Sequence, residues 1–424
     1  MALIVAVLLA CSAYAETRTI SLKEAVAQAL RLNPEIVLAR LEEEKARAQM
    51  RIARDPFIPK VFAGSGMAYS YGFPMSIEGS APSIVQVRGV ASVFNKAVSA
   101  RIAQAGETAK AMAIDTEAKR EQVAFETASV FLDAIRWLRT AEAIRGQVVA
   151  MERAAETVEA RVKEGRELEI EQRRAALGVA KTKHRHALIE EQQEHAENTL
   201  GVLIRMDAGT RLRAVMDGPL AVETPESEEA ALRLALAASK ELRRLESSVR
   251  VEQLALREQE ASRLPTLDLV AQYGLFAKFN NYEDFFRRFQ RHNGQLGVSV
   301  QVPLFRSAAA VARGSQIQTE LEALRTRMGQ TRARIAVEVR NAWRQAKLAE
   351  DGRQIARSDL ELAREQVTIL LAQLEEGRAS QRQLEEARFA EQEKWIGYYE
   401  SQMLGERAKL ALARVAGNLL TALQ

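Results

Sequence analysis

Few residues in this chain are placed to do acid–base, metal or thiol chemistry. The four histidines are His184, His186, His195 and His292. Two residues apart on a helix, His184 and His186 point to different faces and cannot share an ion, so no metal site is expected. The single cysteine, Cys11, falls within an apolar N-terminal segment, which leaves the rest of the chain without disulfide or thiol chemistry. No glycine-rich turn of the phosphate-cradling kind occurs. The expectation is therefore no catalytic residue, no cofactor and no enzyme.

What the polar residues do show is alternation. Gln86, Arg88 and Ser92 alternate with Val85, Val87, Ala91 and Val93; Asp268 and Gln272 alternate with Leu267, Leu269, Ala271 and Tyr273; Ser299 and Gln301 alternate with Leu296, Val298, Val300 and Val302. A period of two gives strands with one apolar and one polar face, and about ten residues is the length of a stave in a membrane barrel. On this reading Gln86, Arg88, Asp268, Gln272, Ser299 and Gln301 line a wet lumen, and their apolar neighbours meet lipid. The segments joining the strands, 72–82 and 277–294, read as loops. The second carries Phe285, Phe286 and Phe289 among Arg287, Arg288 and Arg291.

The elements that position these strands occur twice. Shifted by 206 positions, Ser21, Ala25, Ala29, Leu30, Glu35 and Pro59 fall on Ser227, Ala231, Ala235, Leu236, Glu241 and Pro265. At an offset of 212, Glu164-Gly165-Arg166 falls on Glu376-Gly377-Arg378. Each repeat opens with a helix from a serine N-cap, with a kink expected at Asn33-Pro34 in the first. A β-hairpin follows at about 61–94 and again at about 266–305. Long helices are then expected over about 97–163 and 308–375, each roughly 100 Å. The series Ala141, Ile144, Val148, Met151, Ala155, Val158, Val162 steps by three and four, the heptad spacing of a left-handed coiled coil. Gly165 and Gly377 read as C-terminal caps, and shorter helices return over about 166–206 and 379–423. The organisation expected is repeat 1 over 16–208, a connector over 209–226 with little structure of its own, and repeat 2 over 227–424.

Composition agrees with rods rather than compact cores. Only 9 of 424 residues are Pro and 5% are aromatic, while 27% are charged. The 60 basic and 56 acidic residues interleave and leave a net charge of +4, without the basic patch that nucleic acid would require. The first fifteen residues combine an apolar run with Ala13-Tyr14-Ala15, a small-x-small cleavage pattern, and are expected to be a signal peptide, although basic residues ahead of the run are missing. Two alternatives stay open at Cys11: acylation as the first residue of a lipoprotein, or removal with the leader.

In this order and duplicated, these features resemble the TolC family of outer membrane efflux channels. The resemblance rests on Ser21 to Ala25, Ala29-Leu30, Asn33-Pro34-Glu35, Pro59 and Pro265, Val300-Gln301-Val302-Pro303-Leu304-Phe305, and the two tip motifs. It implies a mainly α fold with a small membrane β part: duplicated coiled-coil hairpins and two β-hairpins in a trimeric α/β barrel of the bacterial outer membrane that extends into the periplasm. Four strands cannot close a barrel alone, which accords with a homotrimer. The partners implied are outer membrane lipid, a periplasmic adaptor protein and an inner-membrane transporter. The tips, with Arg161, Glu164, Gly165, Arg166, Glu376, Gly377 and Arg378, would dock the adaptor. Counting from Gly377, the family's gate positions fall on Gln383 and Glu386, with Glu385 beside them. The competing reading is a periplasmic adaptor or another exported coiled-coil protein, which would not need two amphipathic hairpins.

Overall fold

The computed structural model describes residues 17–66, 83–206, 210–216, 218, 220, 222, 224–276, 290–305 and 308–423. The leader with Cys11, positions 67–71 of the first expected strand, the loop 72–82 and the stretch from Phe285 to Phe289 lie outside them. In chain order the elements are β1 (Thr17–Ile20), α1 (Leu22–Leu32), α2 (Pro34–Ala53), a 3-10 turn (Asp55–Phe57), β2 (Lys60–Gly66), β3 (Ser83–Phe94), α3 (Lys96–Lys163), α4 (Glu169–Leu203), β4 (Arg211–Ala214), α5 (Glu228–Ala238), α6 (Lys240–Ala261), β5 (Thr266–Phe276), β6 (His292–Gln301), α7 (Ala308–Glu375), α8 (Gln381–Ala416) and α9 (Leu419–Leu423). The fold is mostly helical with a small β part, as the sequence led us to expect.

The opening helix is broken rather than kinked. Asn33 takes an extended ψ of 128°, because the following proline disfavours the helical region for it. Its carboxamide then caps the start of α2 and the end of α4: Oδ1 accepts from the Glu35 N–H at 2.9 Å and Nδ2 donates to the Leu203 carbonyl at 3.2 Å. The second repeat breaks at the equivalent Ser239, ψ 113°, with no proline to announce it. Ser21 opens α1 with a capping box to Glu24, and Ser227 caps α5 through the Ala230 N–H at 3.1 Å.

Two compact units are formed from alternating stretches of chain. One comprises 17–38, 117–239 and 332–423 among the described residues. Its core gathers Ile20, Val26, Leu30, Ile36, Phe131, Leu132, Leu200, Ile204, Leu410 and Leu419, bringing the middle of α3 together with α1 and the ends of α4 and α8. Here the connector holds more than the sequence suggested: β4 pairs in parallel with β1, Thr17 against Arg211 through Ile20 against Ala214. Leu212 and Ala214 are buried while Arg211 and Arg213 face out, an alternation too short to stand out in the sequence. The other unit comprises 39–116 and 240–331. It carries a four-stranded antiparallel sheet of order β2-β3-β5-β6, so the hairpins of the two repeats join edge to edge through β3 and β5. Arg244 to Asp115 at 2.8 Å and Arg250 to Glu107 at 3.1 Å tie its helices, and the Lys110 hydrogen bond, above all, holds the Glu107 carboxyl below its ordinary range.

Candidate functional site

The register of the sheet sorts its side chains. Partners directly opposite across antiparallel strands share a face. Phe62, Arg88, Gln272 and Gln295 form one row across all four strands, and Ser92, Asp268 and Ser299 form another on the same face. Gln86 and Gln301 follow by alternation, so all six residues expected in the lumen lie on this face, together with the apolar exceptions Phe62, Val90 and Val270. The opposite face carries the rows Val61, Gly89, Ala271, Leu296 and Ala91, Leu269, Val298. It is apolar and bare: Leu296 is 78% exposed and Val298 63%. Near its outer end the Tyr273 hydroxyl lies 2.7 Å from His292 Nδ1, which gives His292 a place on a strand rather than in the loop.

The helical tips are built alike in both repeats. Gly165 and Gly377 take φ of 69° and 73°, the left-handed conformation that glycine adopts without Cβ strain. At the first tip the Gly165 N–H bonds the Val162 carbonyl and the Arg166 N–H bonds that of Arg161, both at 2.9 Å. At the second, Gly377 bonds Leu374 at 3.0 Å and Arg378 bonds Gln373 at 2.8 Å. Both are Schellman closures. Around them Arg166 pairs with Glu164 at 3.2 Å, Arg378 with Glu376 at 3.3 Å, and Arg161 with Glu167 at 3.5 Å. Such exposed pairs contribute little to stability, which leaves these side chains free to exchange partners.

The three gate residues named by resemblance sit on the first turns of α8, each already engaged. Gln383 Oε1 accepts from the Ser380 N–H at 2.8 Å and from its hydroxyl at 3.0 Å in a capping box. Glu386 pairs with Arg382 at 2.9 Å and Glu385 with Arg388 at 3.2 Å, while Leu384 between them is buried. Sequence reasoning passed over these arginines, although the spacing of four from Arg382 to Glu386 was readable. The Glu386 hydrogen bond, then its charge and those of Glu171 and Glu167, raise the Arg382 pKa, so Arg382 stays charged. About five turns from the tips, a further polar knot joins three helices. Glu393 of α8 accepts from Gln147 Nε2 of α3 at 2.8 Å and from Arg185 of α4 at 2.7 Å. Burial pushes the Glu393 carboxyl up, yet the bonds from Arg185 and Gln147 outweigh it and leave it below the ordinary range. His186 lies 3.2 Å from Glu190, and His184 and His195 are exposed on α4.

Among the described residues no helix is long and apolar enough to cross a membrane, which says nothing of a β-barrel. Comparison with known proteins agrees with the geometry. Residues 25–204 match the outer membrane efflux protein family. The fold is similar to that of a membrane protein from Pseudomonas aeruginosa, with a TM-score of 0.76 at 16% identity over 93% of this chain and 90% of that one. It is equally similar to the CmeC outer membrane channel of Campylobacter jejuni, with a TM-score of 0.76 at 13% identity over 94% and 86%. The outer membrane protein VceC of Vibrio cholerae follows at a TM-score of 0.74 and 14% identity over 93% and 96%. No curated protein sequence matches the chain. The fold is thus that of an outer-membrane channel protomer, carried through both repeats. The family match itself spans the first repeat, and the fold is shared with these channels over both.

Proposed function

We propose that three copies of this chain form a passive conduit across the outer membrane and periplasm of a Gram-negative bacterium, the outer channel of a tripartite efflux or secretion system. One observation carries this reading: a four-stranded sheet with one polar and one bare apolar face, whose edges β2 and β6 have no strand partner among the described residues. In lipid an open edge leaves backbone groups unpaired, so the sheet has to close with copies of itself. The polar face then lines a lumen and the apolar face meets acyl chains. No step of this transport asks for a catalytic residue, and the energy comes from an inner-membrane transporter. A periplasmic adaptor would meet the paired tips at Gly165 and Gly377. The test is purification in detergent and reconstitution in planar bilayers. A particle of three times 47.1 kDa that conducts ions is the expected result, and a soluble monomer with no conductance refutes it.

A further inference from the structure

We infer that the helix-side rim of the four-stranded sheet is a collar for the anionic headgroups of phospholipids in the membrane leaflet on that side. The inference rests on the channel reading above. The antiparallel order brings the start of β2, the end of β3, the start of β5 and the end of β6 to one rim. Each of these strand ends bears an exposed apolar residue: Ile58, Phe94, Leu264, and the pair Leu304 and Phe305, which are 82% and 91% exposed. Through Val302 and Leu304 the apolar face of β6 continues past the last paired residue, Gln301, so the collar is contiguous with the surface assigned to lipid. A long charged helix starts two residues beyond Phe94, which marks this rim as the boundary between apolar and aqueous surroundings.

Cations accompany the apolar residues. Arg54 precedes Ile58 by one helical turn, Lys96 holds its ammonium 6.0 Å from the centroid of Phe94, and Arg263 is the neighbour of Leu264. Among the described residues none of the three has a carboxylate within ion-pairing distance. The acids at this level are mostly taken: Asp55 by Lys60 and Glu258 by Arg101. Glu260, in the groove that Arg263 shares with Leu304 and Phe305, is the remaining one. An unpaired cation on an apolar stem lets the stem rest in the acyl boundary while the charge reaches the phosphate layer, and an anionic leaflet attracts it there. Repeated three times around the assembly, the excess positive charge forms a ring at headgroup height.

The test uses the full-length protein in neutral detergent. It is titrated with phosphatidylglycerol or with phosphatidylcholine of the same chains, and the thermal unfolding midpoint and the lipids retained in native mass spectra are read. Phosphatidylglycerol should be retained preferentially. Arg54→Gln, Lys96→Gln and Arg263→Gln should each weaken that preference roughly fivefold, and 0.5 M salt should suppress it in the wild type. The double variant Arg173→Gln, Lys181→Gln, on α4, should leave it unchanged. Equal retention of both lipids, or a triple rim variant that keeps the full preference, overturns the collar. Lipopolysaccharide or inorganic phosphate competing as well as phosphatidylglycerol overturns the choice of ligand. Planar-bilayer conductance is measured in parallel. A protein that conducts without lipid preference refutes the collar alone, and one that never inserts refutes the channel and the collar together.

Discussion

At the scale of single residues, the tip acids carry their own counter-ions. Three-fold repetition would turn Glu386 into a ring of like charges that favours cations, but each copy arrives paired with Arg382 at 2.9 Å. The two substitutions should therefore act in opposite senses. Arg382→Gln is expected to raise cation selectivity, Glu386→Gln to lower it, and Glu385→Gln to change it less, all read as reversal potentials in a salt gradient. Identical reversal potentials for all of them would place the selectivity elsewhere. Glu393 offers a pH test. Its carboxyl titrates below the unfolded value of roughly 4.3, so its bonds to Arg185 and Gln147 stabilise the fold above that pH and are lost as pH falls through the lower folded value. Glu393→Gln should lower the melting temperature at pH 7, and the gap to wild type should close as the pH falls below about 4. A gap that stays constant with pH would mean that the bonds to the charged carboxylate contribute nothing.

At the scale of elements, the helices end in one recurring way. Besides the two tips, Arg205 and Gly417 occupy equivalent positions after α4 and α8 in the left-handed region, at φ 56° and 80°, with the same paired bonds back into the helix. Gly417 also lies against Ala238, where an added Cβ would come within 2.4 Å. Arg205 has no steric claim to its conformation, and Arg205→Gly should stabilise the protein by about 1 kcal/mol in denaturant unfolding. A destabilised variant would show that its side chain outweighs the strain. The tip caps were legible because glycine after a heptad series is a stop signal. The Arg205 turn and the Ser239 break were not, since neither residue type marks the conformation that packing imposes. Heptads also point outward. Leu348, Ile355, Leu362 and Ile369 repeat at seven-residue steps along α7 and remain between 51% and 68% exposed. On α4, Ile170, Leu177 and Leu188 are exposed as well. Counted from the tip glycines, Ile170, Ile369, Leu177 and Leu362 then alternate by threes and fours, the spacing of knobs into holes between neighbouring copies. Leu177→Cys with Leu362→Cys should yield disulfide-linked trimers on oxidation, while either cysteine alone should not. Linkage from the single variants would mean a different packing.

At the scale of the whole molecule, the reading depends on which face of the sheet meets lipid. Alternation in the sequence was enough to sort polar from apolar residues, because a period of two survives without any knowledge of partners. The pairing of β3 with β5 was not legible, since nothing in either hairpin names its neighbour and the choice is made by the helices that bring the two repeats together. That pairing turns four separate alternations into continuous rows, and it makes the faces testable with adjacent residues. Val298 stands in the apolar row with Leu269, and Ser299 stands in the polar row with Asp268. An arginine on the lipid face near mid-membrane costs about 2–4 kcal/mol, whereas one in a water-filled lumen stays hydrated. Val298→Arg should therefore reduce the amount of trimer recovered from outer membranes severalfold. Ser299→Arg should assemble at wild-type levels and shift conductance toward anions, because three added positive charges would then ring the lumen. Opposite outcomes for the two would mean that the sheet is turned inside out. Equal tolerance of both would mean that neither face is in contact with lipid, and the barrel would have to be abandoned.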